Sequence, residues 1–252
     1  MLHGPQQGIF DLEFRIPSEC ADRMASGAAD IGIVPCFELT RQDLEIIPGA
    51  GIACHGPVRS ILLVSKRPAA EIRTLAVDSS SRTSVQLARV ILERRYGAEY
   101  TAIPHTPDLD GMLRVADAAL IIGDPALRLD PEQLPYEVHD LGGEWVEMTG
   151  LPMVFAVWAA PEPTHPGLPE LEDALVESVR AARAEPEQLA YESADRYGYP
   201  AGFLARYFEK LRYRFGPRER AGLYTFLEMA RDVGELDDVP ELRFVAATGA
   251  TV

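Results

Sequence analysis

The hexapeptide Ser79-Ser80-Ser81-Arg82-Thr83-Ser84 gathers five hydroxyls and one guanidinium between two apolar runs, IRTLAVD (72–78) and VQLARVILERRYG (85–97). The first turn of a helix has unpaired N–H groups and a partial positive charge, so hydroxyls placed there can grip an anion. Arg82 could pair bidentately with a carboxylate. A plainer role is also open: Ser81 or Thr83 caps the helix and the rest is solvated loop. In HGPVRS (55–60), Gly56 and Pro57 make a turn, and Arg59 and Ser60 open the apolar strand ILLVS. Such an arginine is ordinarily a surface residue at a sheet edge. IGDPA (122–126) sets Gly123 and Asp124 at the carboxyl end of a buried strand, where doubly wound sheets meet their ligands. Asp124 could act as a general acid or base, could orient a ligand hydroxyl, or could cap a helix starting at Pro125. Cys36, in VPCFEL (34–39), ends an earlier strand in the same way and reads as a small buried hydrophobe rather than a nucleophile. The chain has no G-x-S-x-G elbow, P-loop, dinucleotide glycine fingerprint or H-E-x-x-H, which removes the activities those motifs would signal.

These residues need elements to hold them. FDLEFRI (10–16) alternates like a strand. PSECADRMASG then reads as a helix capped by Ser18 and stopped by Gly27, and ADIGIVP (29–35) as a short buried strand. LEIIPG (44–49) and RSILLVSK (59–66) are further strands. A second alternating block runs from 72 to 124: strand 72–78, helix 84–96 stopped by Gly97, strand 99–103, helix 108–115 and strand 118–124. Strands that are apolar throughout and alternate with helices predict a parallel, doubly wound sheet. A helical turn at 143–150 precedes a long buried strand at 151–160. From 168 to 235 the chain reads as helices, with Pro186, Pro200 and Pro217 at their starts and a loose tail beyond. Strands 59–66 and 153–159 are expected to link two lobes around a cleft.

Composition narrows the function classes. The net charge of −15 disfavours a nucleic-acid backbone or an anionic membrane surface, though not a small anion held by local donors. No apolar run approaches the ~20 residues of a membrane helix, and the opening MLHGPQQGIF lacks a secretory signal, so a cytoplasmic protein is expected. The three cysteines have no C-x-x-C spacing and the five histidines are scattered, so neither a disulfide framework nor a bound metal is expected.

Five separated segments, PSECADRMASGAADIGIVPCFEL, GPVRSILLVSK, VDSSSRTSVQLARVIL, ADAALIIGDPAL and DLGGEWVEMTGLPMVFAVWA, resemble in that order the chorismate dehydratases of the futalosine route to menaquinone. The resemblance runs from about residue 10 to past 220. The dihydroxynaphthoate synthase of the same route is similar in fold, but it carries a histidine where this chain has Gly123-Asp124. The resemblance implies an α/β, two-lobed fold like that of the periplasmic binding proteins (type II), with a helical C-terminal region. Residues 1–68 plus 161–252 would form one lobe and 69–160 a βαβαβ second lobe. It implies loss of water from dianionic chorismate to give 3-[(1-carboxyvinyl)oxy]benzoate, with no cofactor. Asp124 and Ser84 would be catalytic, with Glu38 or the substrate's own carboxylate as the other candidates for proton acceptor. Arg59, Ser60, Ser79, Ser81, Arg82, Thr83, Ser84, Gly123 and Cys36 would bind substrate. A homodimer is compatible with it. Family members begin with a strand and a Tyr-Leu-Asn type loop, whereas MLHGPQQG resembles the segment after that loop, so either the chain lacks that strand and one active-site side chain or, as expected here, its start lies upstream of Met1. The contrasting expectations are a non-catalytic solute-binding protein and an inactive paralogue that binds a small carboxylate.

Overall fold

Helix starts and stops set most element boundaries in the computed structural model, which describes residues 5–78, 81–161 and 168–245. In α1 (Pro17–Ala25), Pro17 occupies the first turn, where its missing N–H costs nothing, and the chain leaves the helix through Gly27 at φ 69°. Ser18 therefore lies inside the helix and the cap position falls to Ile16. Ala21 and Met24 face inward onto β1 (Gly32–Pro35), where a Cβ on Gly32 would lie 2.8 Å from Met24 Sδ. The chain continues through β2 (Leu44–Cys54), β3 (Ile61–Ser65) and β4 (Thr74–Val77) to α2 (Arg82–Tyr96). Next come β5 (Thr101–Pro104), α3 (Leu109–Val115), β6 (Ala118–Ile122), α4 (Asp124–Leu127), β7 (Glu137–Asp140), α5 (Leu141–Thr149) and β8 (Met153–Pro161). The C-terminal third holds α6 (Leu168–Ala184), α7 (Pro186–Tyr197), α8 (Ala201–Lys210), β9 (Leu211–Phe215), α9 (Pro217–Asp232) and β10 (Arg243–Phe244).

Two sheets result. In the first, the order is β1-β8-β2-β10, β8 runs antiparallel to both neighbours, and β9 also pairs with β2 beyond a register shift near Gly49. In the second, the order is β5-β4-β6-β3-β7, with β4 parallel to β5 and β6, as expected for the doubly wound block. β3 and β7 add an antiparallel margin. β3 is buried along its whole length, and its pairing with β6 and β7 means that the chain leaves the first sheet after Cys54 rather than after residue 68. It returns through α5 to β8, which pairs in the first sheet.

Three stretches depart from the sequence reading. Residues 11–16 form no strand despite their alternation: β1 is the end strand of its sheet, no described strand lies beside it there, and Phe14 and Ile16 stay exposed. The segment LRYRF, read as helix, is β9, with Arg212 and Arg214 exposed and Phe215 buried against β2. The tail contributes β10, whose Phe244 stacks on Phe215 under Arg220; the rest of that tail lies outside the described residues.

One apolar core joins the two sheets. Leu63, Leu75 and Leu87 belong to the same buried cluster as Phe37, Trp145 and Phe226, so α2, α5 and α9 pack as the filling between them. α9 comes close enough to Pro152 that a Cβ on Gly222 would lie 2.1 Å from its carbonyl oxygen. The amino end of α2 is thereby pressed against Cys36–Thr40 at the end of β1, while its sheet, through β4 and β6, presents strand ends beside it.

Candidate active site

The second sheet brings the sequence-predicted groups to one edge. β4 and β6 are neighbours in parallel, so residue 78 onward and Gly123 leave the sheet from the same end. β3 enters beside them, with Ile61 opposite Ile122. Ser60, Gly123–Asp124 and the start of α2 thus share the carboxyl-terminal edge of the parallel strands, where doubly wound sheets carry their ligands. Ser79 lies outside the described residues.

At the start of α2 the polar groups are locked into the first sheet. Thr83 is 3% exposed, and its hydroxyl accepts a hydrogen bond from the Phe37 amide at 3.3 Å and lies 3.7 Å from Cys36 Sγ. Cys36 is fully buried and donates to the Val154 carbonyl at 3.1 Å. Burial pushes its thiol up to about 12, so it is a protonated packing group without surface to offer a ligand. The Arg82 guanidinium pairs with Glu38 at 2.7 Å and Asp22 at 3.2 Å. Glu38 is 1% exposed and also accepts from Gln42. The hydrogen bond that Arg82 donates to Glu38 and the charges of both acids raise the pKa of Arg82 further, so its charge is permanent and already matched.

Ser84 differs from its neighbours. The residue is 4% exposed, and its hydroxyl makes no hydrogen bond to a described residue. The first turn of α2 contains no acidic residue, and Ser81 makes no side-chain cap. Among the described residues the Arg82, Thr83 and Ser84 amides find no backbone acceptor either. The positive end of a fifteen-residue helix therefore has amide and hydroxyl donors without a partner among the described residues.

The second group is organised around a strained backbone. Arg59 is the non-glycine residue with positive φ, 75°. Its amide donates to Asp140 Oδ2 at 2.5 Å, and the Val58 amide donates to Asp140 Oδ1 at 3.0 Å. The same carboxylate caps α5 by accepting from Gly142 and Gly143. The Arg59 guanidinium donates to the carbonyls of Ala126, at 3.1 Å, and Leu129, binding the end of α4. Arg59 thus acts as a tie where the chain crosses between sheets. Ser60 is 6% exposed; its carbonyl accepts from the Gly123 amide at 2.8 Å, and its hydroxyl accepts from Tyr207 at 3.1 Å. Gly123, at φ 66°, turns the chain from β6 into α4. Asp124 begins that helix as its first residue, not as its cap, and is exposed, with no partner for its carboxylate among the described residues.

Two tyrosines of the C-terminal region escaped the sequence reading. Tyr207 holds the Ser60 hydroxyl; burial raises its pKa, the Ser60 hydrogen bond opposes the rise and the Asp124 charge adds to it, so the Asp124 carboxylate acts on the Tyr207 hydroxyl. Tyr199 donates to the Asp124 carbonyl at 3.0 Å. Nothing in PAGFLARYFEK separates a site tyrosine from an apolar face, since both recur at helical spacing. The described residues contain no group of three or more His, Cys, Asp or Glu able to hold a metal, and no helix long and apolar enough to cross a membrane.

Comparison with known proteins identifies the family and the fold. A family model described as menaquinone biosynthesis matches residues 2–232. A chorismate dehydratase of Thermus thermophilus is 31% identical over 243 residues, covering 87% of this chain and 86% of its own. Among solved structures, an ABC transporter protein of Parabacteroides distasonis superposes with a TM-score of 0.61 at 19% identity, covering 92% of this chain and 86% of that one. A Candida albicans protein described as having the generic periplasmic-binding-protein fold gives 0.55 at 9% identity, covering 92% and 85%. The fold is therefore that of the periplasmic binding proteins.

Proposed function

The chain belongs to the menaquinone-biosynthesis family, and we propose that it acts there as a chorismate dehydratase, a hydro-lyase that forms 3-[(1-carboxyvinyl)oxy]benzoate. The observation that carries this reading is the amino end of α2, where the first-turn amides and the Ser84 hydroxyl have no partner among the described residues. Chorismate is a dianion, and a carboxylate seated there would satisfy the free amides and the Ser84 hydroxyl together. The reaction removes one ring proton and one ring hydroxyl. The C–H electron pair becomes a ring double bond as the C–O bond breaks, and the hydroxyl leaves with a proton as water. Aromatisation supplies the driving force, which leaves the protein to bind, orient and exclude bulk water. Asp124, free and across the edge from Ser84, is the proton acceptor in this reading, with the substrate's own side-chain carboxylate as the alternative. The Tyr207–Ser60 pair would hold the ring from the C-terminal side.

The test is to incubate the full chain with chorismate and follow the ultraviolet spectrum of the benzoate product. Turnover that falls at least about a hundredfold in Asp124→Asn assigns the proton to this side chain. Full activity in that variant transfers the role to the substrate. No conversion at any enzyme level, with chorismate still raising the melting temperature, would leave a carboxylate-binding protein in place of an enzyme.

A further inference from the structure

We propose that the groove between α4 and α8 is a second binding site, specific for a small aromatic carboxylate and separate from the amino end of α2. The groove has a volume of about 580 Å³ and is lined by Leu127, Arg128, Tyr199, Pro200, Phe203 and Arg206. That falls within the roughly 300–1,000 Å³ range of small-molecule sites. No acidic side chain lines it.

Charge is the first argument. The protein carries a net charge of −15, and the arginines near its candidate active site are engaged: Arg82 by Glu38 and Asp22, Arg59 by backbone carbonyls. Arg128 and Arg206 are exposed and, among the described residues, neither has an ion pair or hydrogen bond. Two unmatched guanidiniums facing one groove in an acidic protein are a local anion site, because each presents a planar fork that fits a carboxylate.

The second argument is the wall between them. Tyr199 and Phe203 stack with ring centroids 5.3 Å apart and planes 20° from parallel. The Tyr199 hydroxyl is anchored on the Asp124 carbonyl, which fixes the ring and its stacked partner as a rigid platform. A planar ring would lie against that platform, with Leu127 and Pro200 adding apolar contact, while its carboxylate faced the arginines. An aliphatic anion would gain the charge and lose the stacking. A neutral aromatic would gain the stacking and lose the charge. The proposal does not rest on the dehydratase reading: it needs only the groove, its two cations and its aromatic pair.

The experiment is calorimetric titration of the full chain with benzoate, with cyclohexanecarboxylate as the non-aromatic control. Benzoate is expected to bind the wild type more tightly than the control and to weaken as salt is raised. Arg128→Gln and Arg206→Gln should each weaken benzoate about tenfold, the loss of one charge-assisted pair. Both side chains are exposed, so circular dichroism should remain that of the wild type. Ser84→Ala should leave benzoate binding unchanged. Absence of benzoate binding, wild-type affinity in the Arg128→Gln/Arg206→Gln double variant, or loss of binding in Ser84→Ala alone would each overturn the proposal. A chain that fails to turn over chorismate yet binds benzoate through these arginines would sink the dehydratase reading and keep this one.

Discussion

The two ends of α2 carry similar residues and differ in what is left unmatched. At the amino end, Arg82 pairs with Glu38 from outside the helix, and hydroxyls crowd the first turn. At the carboxyl end, Arg95 pairs with Glu144 at 2.9 Å and Glu147 at 2.6 Å, while the Tyr96 hydroxyl donates to Glu144 at 2.7 Å and His139 Nδ1 lies 3.0 Å from the same carboxylate. The cations Arg94 and Arg95 suit the negative end of the helix dipole, so this network assists the helix. Arg82 sits at the positive end, where a cation is unfavourable, and Glu38 offsets it. Among the described residues, the first-turn amides and the Ser84 hydroxyl then still have no partner. A polar cluster alone therefore does not mark a site; an uncommitted donor inside one does.

The largest test of that contrast replaces the Ser84 side chain. Ser84→Ala should lower turnover by about 10²- to 10³-fold, the usual cost of removing a donor from a transition state, and leave the melting temperature within the range of a neutral change. Loss of stability with turnover retained would make Ser84 an ordinary packing residue. Arg82→Ala should behave in the opposite way. It strands Glu38, 1% exposed, without its cation, at a cost of about 3 kcal/mol in denaturant unfolding. Partial exposure of Arg82 places the expectation at the low end for buried pairs. If Arg82→Ala proves as stable as the wild type, then the amino end is less tightly matched than its geometry implies.

Much of this arrangement is legible in the amino-acid sequence, and the rest fails for physical reasons. Periodicity and prolines place α2, α3, α6 and α9 because each has a single apolar face and a clear start. They mislead at LRYRF, where a five-residue alternation follows α8 without a turn residue, and only pairing with β2 settles it as strand. They mislead again at 10–16, where a good strand pattern has no strand among the described residues to bond. For the site, residue types are readable and commitments are not. Arg59, Arg82 and Ser84 all look available in one dimension. Contacts from Ala126, Glu38 and their neighbours, distant in sequence, engage the first two and leave the third. Tyr207 shows the converse, an unremarkable helix residue that reaches Ser60 across 147 positions.

The smallest expected effect belongs to the carboxyl end of α2 and is read from pH. The hydrogen bond that His139 donates to Glu144 raises the pKa of His139 above the ordinary 6.5, against the opposing pull of burial, with Glu137 adding to the rise. For Glu144, burial alone would raise the pKa, but hydrogen bonds from His139 and Tyr96 and the charge of Arg95 outweigh it and lower the value from 4.5. A group whose pKa is higher folded than unfolded binds its proton more tightly in the fold. His139 therefore contributes stability in full below about 6.5, the unfolded imidazole value, and loses it as pH rises through the folded value. Glu144 contributes in full above its unfolded value and loses it as pH falls through the lower folded one. Stability should decline as pH rises above 6.5, and His139→Gln should flatten that decline while leaving the chorismate response of the amino end intact. Because Glu144 is also held by Arg95 and Tyr96, the variant keeps the helix end anchored, and the slope rather than the midpoint is the informative reading. An unchanged slope in His139→Gln would show that the proton is taken up elsewhere and that the carboxyl end is held by Arg95 and Tyr96 alone.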